Sequence, residues 1–120
     1  YDIEIAETHH RHKIDAPSGT AITLGEFASK GRKRNFDDVK VYDRINKTSK
    51  RKTGEISFAV TRGGEIPGEH TVSFIGENDR IDLSHKALNR SIFVNGAIEA
   101  ALFLSKKKVG LYYMEDIIKV

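Results

Sequence analysis

His9, His10, His12 and Lys13 fall within five consecutive positions, and the chain then runs through Asp15-Ala16-Pro17 into Ser18-Gly19-Thr20. An imidazole has an ordinary pKa of about 6.5, the closest of any side chain to neutral, so it can take or give a proton at low cost. Lys13 adds a full positive charge beside these rings. Ser18 is a good N-cap, and the first amides of the helix it would open have no internal partners. Those amides and the helix dipole favour an anion. Gly19 lets a ligand approach the backbone, and the Ser18 and Thr20 hydroxyls can add donors. A carboxylate or phosphate suits such a cradle. Each charge-assisted hydrogen bond to it would contribute about 1.5–3 kcal/mol.

Two plainer readings compete. His-His-x-His is also a metal-ligand pattern. With no cysteine, no clear carboxylate to complete the shell and Lys13 to repel a cation, no metal is expected. A Ser-Gly-Thr helix start can be a cap and nothing more. The chemical reading prevails because acid, cation and cradle occur in one strand-loop-helix unit. On an extended segment His10 and His12 share a face and His9 takes the other.

The elements that must hold this unit follow from periodicity. Tyr1, Ile3 and Ile5 alternate with Asp2 and Glu4, so Tyr1 to Thr8 reads as a strand. Ser18 to Lys30 reads as a helix, with Ala21, Leu24 and Ala28 on one face and Gly31 as the C′ stop. Val39 to Tyr42 is a short strand and Asp43 to Thr53 a polar loop. Glu55 to Arg62, His70 to Ile75 and Arg80 to Ala87 are strands joined by short turns, which predicts an antiparallel meander. Ser91 to Lys106 is a second helix with a wide apolar stripe, and Leu111 to Val120 has no pattern that assigns it to either class. The fold class is α+β, with a mixed sheet of about four strands and helices on one face.

The 120 residues allow one domain of ordinary size, and 38% hydrophobic with 31% charged residues suits a folded globular chain. The absence of cysteine points to a reducing compartment. No stretch is long and apolar enough to cross a bilayer, and no secretory signal opens the chain, so no membrane partner is expected. The net charge of +3 comes mostly from Lys30 to Arg34, Lys47 to Lys52 and Lys106 to Lys108. These read as solvated loops and helix ends, without interleaved aromatic residues, so no nucleic-acid partner is expected. A start at Tyr1 inside a strand pattern suggests a piece of something longer.

The string Glu7-Thr8-His9-His10-Arg11-His12-Lys13-Ile14-Asp15-Ala16-Pro17-Ser18-Gly19-Thr20-Ala21 resembles the signature of the dihydrodipicolinate reductases of bacterial and plant lysine synthesis. Arg62-Gly63-Gly64, Gly68-Glu69-His70, His85-Lys86-Ala87, Arg90 with Phe93, and Asn95-Gly96-Ala97 follow in similar order. The resemblance runs from Tyr1 to about Asp116. Ser57 stands where family members often have glycine, and the Asn46 to Thr53 loop is richer in lysine than expected. The family's Rossmann domain, with its Gly-x-Gly-x-x-Gly turn, has no counterpart in this chain.

The resemblance implies a cytoplasmic, homotetrameric enzyme of the diaminopimelate route, an oxidoreductase using NADPH or NADH on an unsaturated cyclic dicarboxylate. His9 would be the proton donor and Lys13 its assistant, with Lys13 also holding a carboxylate. His10, Ser18, Gly19 and Thr20 would bind substrate. Arg90 and Phe93 are weaker candidates for cofactor contact. Residues 1–87 would form the substrate-binding domain and make the tetramer through the sheet. Residues 88–120 would return to the nucleotide-binding domain, so the second helix should have a partly uncovered apolar face. The fragment alone should be inactive. Two readings of other classes stand beside this one: a basic module that binds anions or nucleic acid without catalysis, and a structural oligomerisation domain.

Overall fold

A computed structural model describes residues 1–118. The elements are β1 (Asp2–His9), α1 (Gly19–Gly31), α2 (Phe36–Val39), β2 (Lys40–Val41), β3 (Ile56–Arg62), β4 (Gly68–Ile75), β5 (Arg80–Ala87), α3 (Ser91–Leu104) and α4 (Met114–Ile117). They fall into two compact units, Tyr1–Ala87 and Leu88–Val120.

The first unit is built on a five-stranded sheet of order β2-β3-β1-β4-β5. β1 runs parallel to β3 and antiparallel to β4, and β4 forms an antiparallel hairpin with β5. The mixed α+β architecture is as expected, the fifth strand being the two-residue β2. The meander is not present: β1 lies between β3 and β4. The reason is burial. Ile3 and Ile5 are 1% and 0% exposed, and a strand so apolar on one face stabilises the fold most when paired on both edges. The short turn after β3 therefore crosses the end of β1 instead of closing a hairpin.

The register sets Ile3 beside Ile56 and Phe74, and Ile5 beside Phe58 and Val72. This apolar face receives Ala21, Leu24 and Ala28 of α1, with Phe36 and Val39 from α2, so both helices of the unit cover one face. Burying each such large side chain contributes about 1.5–3 kcal/mol. Gly25 sits where α1 comes closest, since a Cβ there would lie 2.8 Å from the rings of Phe36 and Phe58.

Ser18 caps α1, its hydroxyl accepting from the Ala21 N–H at 3.2 Å. The other end differs from expectation. Gly31 remains helical, Arg32 is the C-cap, and Lys33 takes the left-handed turn at φ 55°. The Arg34 N–H then returns to the Ser29 carbonyl at 3.0 Å, closing the helix end without a glycine at the turn.

In the second unit α3 stops at Leu104, two residues short of the expected end, and none of its residues is buried. Ile92, Phe93, Ile98 and Leu102 are each about half exposed, as 47%, 54%, 53% and 56%. The tail beyond Leu111 contains the single turn α4, held by the Tyr113 N–H donating to Asp116 Oδ2 at 2.7 Å. The last two residues of that tail lie outside the described residues.

Candidate active site

The topology gathers the site at one end of the sheet. β1 and β3 are parallel, so both finish there, while the antiparallel β4 begins there. The helix-facing row of β1 continues past Ile3 and Ile5 to Glu7 and His9. Arg62 ends β3 opposite His9, and His70 on β4 lies opposite Glu7. The connection from β3 to β4 passes over His9: the Gly63 N–H donates to the His9 carbonyl at 3.0 Å, and the Arg11 N–H to the Gly64 carbonyl at 3.1 Å.

Glu7 is the hub. It is 3% exposed, and both carboxylate oxygens accept from the Ser18 N–H, at 3.0 and 3.1 Å. Arg62 Nη2 donates to Oε1 at 2.7 Å. Burial alone would push this carboxyl up. The bonds from Ser18 and Arg62 outweigh it and leave Glu7 below the ordinary carboxylate range. His9 Nδ1 and His70 Nε2 each lie 3.6 Å from Glu7 Oε2. The Ser18 hydroxyl is 3.1 Å from His70 Nε2. The two imidazoles meet edge to face, with centroids 5.0 Å apart.

Both rings are held below the ordinary histidine value. Burial is the main cause in each, opposed by Glu7 and reinforced by the positive charges of Arg62 and Lys13. They are therefore neutral near pH 7, ready to accept a proton once a negative charge arrives.

Of the residues singled out from sequence, His9 and Ser18 are inside this cluster. Lys13 stands at its edge, bound through Nζ to Asp15 Oδ1 at 2.8 Å, while Arg62 Nη2 also donates to the Asp15 carbonyl at 2.8 Å. Gly19 and Thr20 open α1, and apart from its chain neighbours and the helix backbone nothing lies within 4 Å of where a Gly19 Cβ would be. Among the described residues no hydrogen bond is formed by either amide. Thr20 shares with His70 and His85 the rim of an open cleft of about 380 Å³, floored by Leu24, Val72 and Leu83. His10 leaves the strand row, its ring 6.1 Å from that of His12. His12 itself is exposed and lies 3.6 Å from Glu65, away from the cluster. Arg90 and Phe93 begin α3 in the second unit.

Glu7, Arg62, His70 and His85 are not among the site residues that the sequence singles out. Glu7 does carry a signal: an acid in the same alternating row as Ile3 and Ile5 must be buried and answered. The other three depend on which strands are neighbours.

Glu7, His9 and His70 could each offer a ligand atom, all within 4.8 Å of one another. The charge that answers Glu7 is already supplied by Arg62, and Lys13 adds a second cation nearby. A divalent ion would enter against both, so the cluster suits protons better than a metal.

Comparison with known proteins gives a consistent set of relatives. The family model described as Dihydrodipicolinate reductase, C-terminus, matches residues 1–118. A 4-hydroxy-tetrahydrodipicolinate reductase of Nitrosospira multiformis is 50% identical over 118 residues, covering 98% of this chain and 44% of the relative. That of Rhodopseudomonas palustris is 52% identical over 118 residues, with the same coverage. A solved dihydrodipicolinate reductase from Paenisporosarcina sp. TG-14, described as dipicolinate bound, superposes with a TM-score of 0.70 at 26% identity, covering 98% of this chain and 44% of that one. The chain thus spans less than half the length of these relatives.

Proposed function

The chain belongs to the dihydrodipicolinate reductase family, and we propose that it is the substrate-binding and proton-donating part of such an enzyme. The reaction is reduction of 4-hydroxy-tetrahydrodipicolinate to tetrahydrodipicolinate in the diaminopimelate route to lysine. One observation carries this reading: the Gly19 and Thr20 amides open α1 without a hydrogen-bond partner among the described residues, in the same corner as Lys13 and the buried histidine pair. A dicarboxylate fits that corner. The names of the relatives, and the dipicolinate bound to the solved reductase, support it.

One substrate carboxylate sits on the Gly19 and Thr20 amides. The Thr20 hydroxyl and Lys13 ammonium complete its shell, the latter drawn from Asp15. The Ser18 hydroxyl is already engaged by Ala21 and His70, so it shapes the cradle more than it binds. His10 contacts the substrate. His9 donates the proton, as the bound dianion raises the affinity of the imidazole for it.

A nicotinamide nucleotide, NADPH or NADH, supplies the hydride when bound. This chain has no Gly-x-Gly-x-x-Gly turn to cradle one, so no part of hydride delivery is assigned to its residues beyond contacts by Arg90 and Phe93. The 120-residue chain is accordingly inactive by itself. The enzyme is a cytoplasmic homotetramer joined through the sheet face opposite α1, where Asp82, Ser84 and Lys86 are exposed on β5. No helix among the described residues is long and apolar enough to cross a membrane.

The test is titration of the full-length reductase with pyridine-2,6-dicarboxylate. Lys13→Ala should weaken binding by about ten- to a hundredfold, the worth of one charge-assisted contact. His9→Ala should leave binding intact and lower kcat. Equal affinity in wild type and Lys13→Ala would sink the assignment.

A further inference from the structure

An imidazole donates from one nitrogen, and what the other nitrogen faces decides which. Of the two nitrogens of His9, only Nδ1 is buried without a hydrogen-bond partner, and it lies 3.6 Å from Glu7 Oε2. The Glu7 side chain is 1% exposed. Burial pushes its carboxyl up, but the Ser18 and Arg62 bonds keep it ionised. A lone pair on Nδ1 would oppose that negative oxygen, whereas an N–H there is attracted to it. The other edge of the ring lies against Gly68, where a Cβ would sit 3.1 Å from Nε2 and 3.4 Å from Cδ2. Having no side chain, Gly68 leaves that edge clear.

We propose that Glu7 is a positioning residue for His9: it keeps a hydrogen on Nδ1 and turns Nε2 outward, so that the donated proton arrives and leaves by Nε2. The inference rests on the reading of His9 as donor. In the free protein the neutral ring carries its single hydrogen on Nδ1. With the dianion bound, the Nε2 lone pair takes a proton from water and the ring becomes an imidazolium. The Nε2–H bond then breaks as that proton passes to the substrate, and the Nδ1–H bond is kept throughout. Glu7 neither gains nor loses a proton. The next turnover starts with water again supplying Nε2, and the proton step changes no oxidation state.

The charges around the ring give Glu7 this part. Arg62 at the end of β3, His70 on β4 and Lys13 in the loop after β1 all oppose a positive His9, while Glu7 on β1 favours it. The start of α1 presents the uncharged Ser18. Of these groups only Glu7 stabilises the charge that a proton donor must carry. Its other oxygen is anchored by Arg62 at 2.7 Å, which leaves Oε2 to the rings. His70 Nε2 is also 3.6 Å from Oε2, but it already meets the Ser18 hydroxyl at 3.1 Å. A separation of 3.6 Å is longer than a formed hydrogen bond, and such contacts in a ligand-free site tighten when the substrate complex forms.

Two measurements on the full-length reductase test this. With nitrogen-15 in its histidines, the wild-type enzyme above the titration of His9 should show Nδ1 protonated and Nε2 bare. A hydrogen on Nε2 instead overturns the proposal, whether or not the dicarboxylate is the substrate. In Glu7→Gln, the pH above which kcat declines should move down by about one unit, because an opposite charge within about 4–6 Å shifts a pKa by about 1–3 units. Above that limb kcat should drop about tenfold, with the loss shrinking toward acid pH and KM changed less than about threefold. Glu7→Asp keeps the charge and should return the limb toward its wild-type position. A purely structural role for Glu7 would lower kcat by one factor at every pH. That result, or a limb that does not move, overturns the positioning role. Should Glu7→Gln fail to fold, the wild-type nitrogen measurement decides alone. A wild-type enzyme without activity on 4-hydroxy-tetrahydrodipicolinate would instead condemn the functional reading.

Discussion

The Ser18 amide donates to both oxygens of Glu7, at 3.0 and 3.1 Å, so the start of α1 is fastened to the most buried acid of β1. The same carboxylate holds Arg62, whose side chain is 18% exposed. Glu7→Gln keeps the shape but removes the charge, leaving a largely buried guanidinium without its counter-charge. A loss of about 2–4 kcal/mol is expected in urea unfolding. A variant within about 0.5 kcal/mol of wild type, the usual spread for a neutral surface change, would show that Glu7 does not anchor the helix.

Stability should fall on acidification, and the sign follows from the directions of three shifts. His9 and His70 lie below their ordinary value, chiefly through burial. The unfolded chain therefore binds protons first as pH drops past about 6.5, which favours unfolding. Glu7 lies below its ordinary value because the Ser18 and Arg62 bonds outweigh burial, and it loses its contribution lower still, through its folded pKa. The histidine contributions are fully present above about pH 7.5 and shrink as pH falls below about 6.5, while that of Glu7 is kept to about pH 5 and shrinks below it. Urea midpoints measured across that range should decline steadily. A flat profile would mean that the rings are charged, or solvated, in the folded state.

Gly25 is a packing requirement of α1 and not a weakness in it. A methyl group there meets Phe36 and Phe58 at 2.8 Å. Alanine should recover about 1 kcal/mol of helix propensity but cost about 1–3 kcal/mol in overpacking. Gly25→Ala should thus be destabilising in thermal melts, by about 1 kcal/mol or more. A rise in Tm would mean that the two rings yield without strain.

The strand-loop-helix unit is legible in the sequence because its signals are local: alternation to Thr8, one residue short of the observed end of β1, a turn at Asp15-Ala16-Pro17, and a cap at Ser18. β5 spans Arg80–Ala87 as its alternation predicts, while β4 begins at Gly68, two residues before the alternation that starts at His70, and β2 is confined to Lys40–Val41 within the expected Val39 to Tyr42. Strand order is not legible. Short turns suggest that β3 pairs with β4, which would set Arg62 near His70 and leave His9 outside. Insertion of β1 between them is a long-range consequence of Ile3 and Ile5, and it creates the cluster. The C-terminal turn of α1 escapes a reading based on glycine because Lys33 adopts the positive φ.

Binding of a dicarboxylate should draw in protons. The imidazoles are neutral in the free protein near pH 7, and a dianion placed beside them raises their proton affinity. Calorimetric titration of the full-length reductase with pyridine-2,6-dicarboxylate, in buffers of different ionisation enthalpy, should reveal net uptake at neutral pH. Affinity should also rise as pH falls toward about 6. Enthalpies that do not depend on the buffer would separate the histidine pair from the ligand.

Gly68 and Gly19 give a paired test of where chemistry and binding reside. A Cβ at Gly68 would lie 3.1 Å from His9 Nε2 and 3.4 Å from its Cδ2, so alanine must push the ring aside by a few tenths of an ångström. Gly68 is the first residue of β4, and replacing a strand glycine by alanine recovers up to about 0.5–1 kcal/mol of backbone entropy, which offsets part of that strain. Gly68→Ala should therefore fold normally, yet kcat should fall about tenfold or more, since a displacement near 1 Å can cost about 10²-fold. Gly19→Ala is the complement. Apart from its neighbours in the chain and the backbone of α1 itself, nothing lies within 4 Å of the new methyl group, so neither fold nor His9 is disturbed. The methyl instead occupies the space through which a carboxylate reaches the α1 amides, and dicarboxylate affinity should drop by about tenfold, the worth of one lost hydrogen bond. The full-length reductase carrying each substitution, assayed for kcat and for pyridine-2,6-dicarboxylate affinity, should show the two effects separated. If Gly68→Ala weakens binding and Gly19→Ala slows turnover at saturation, the roles given to His9 and to the helix start are reversed.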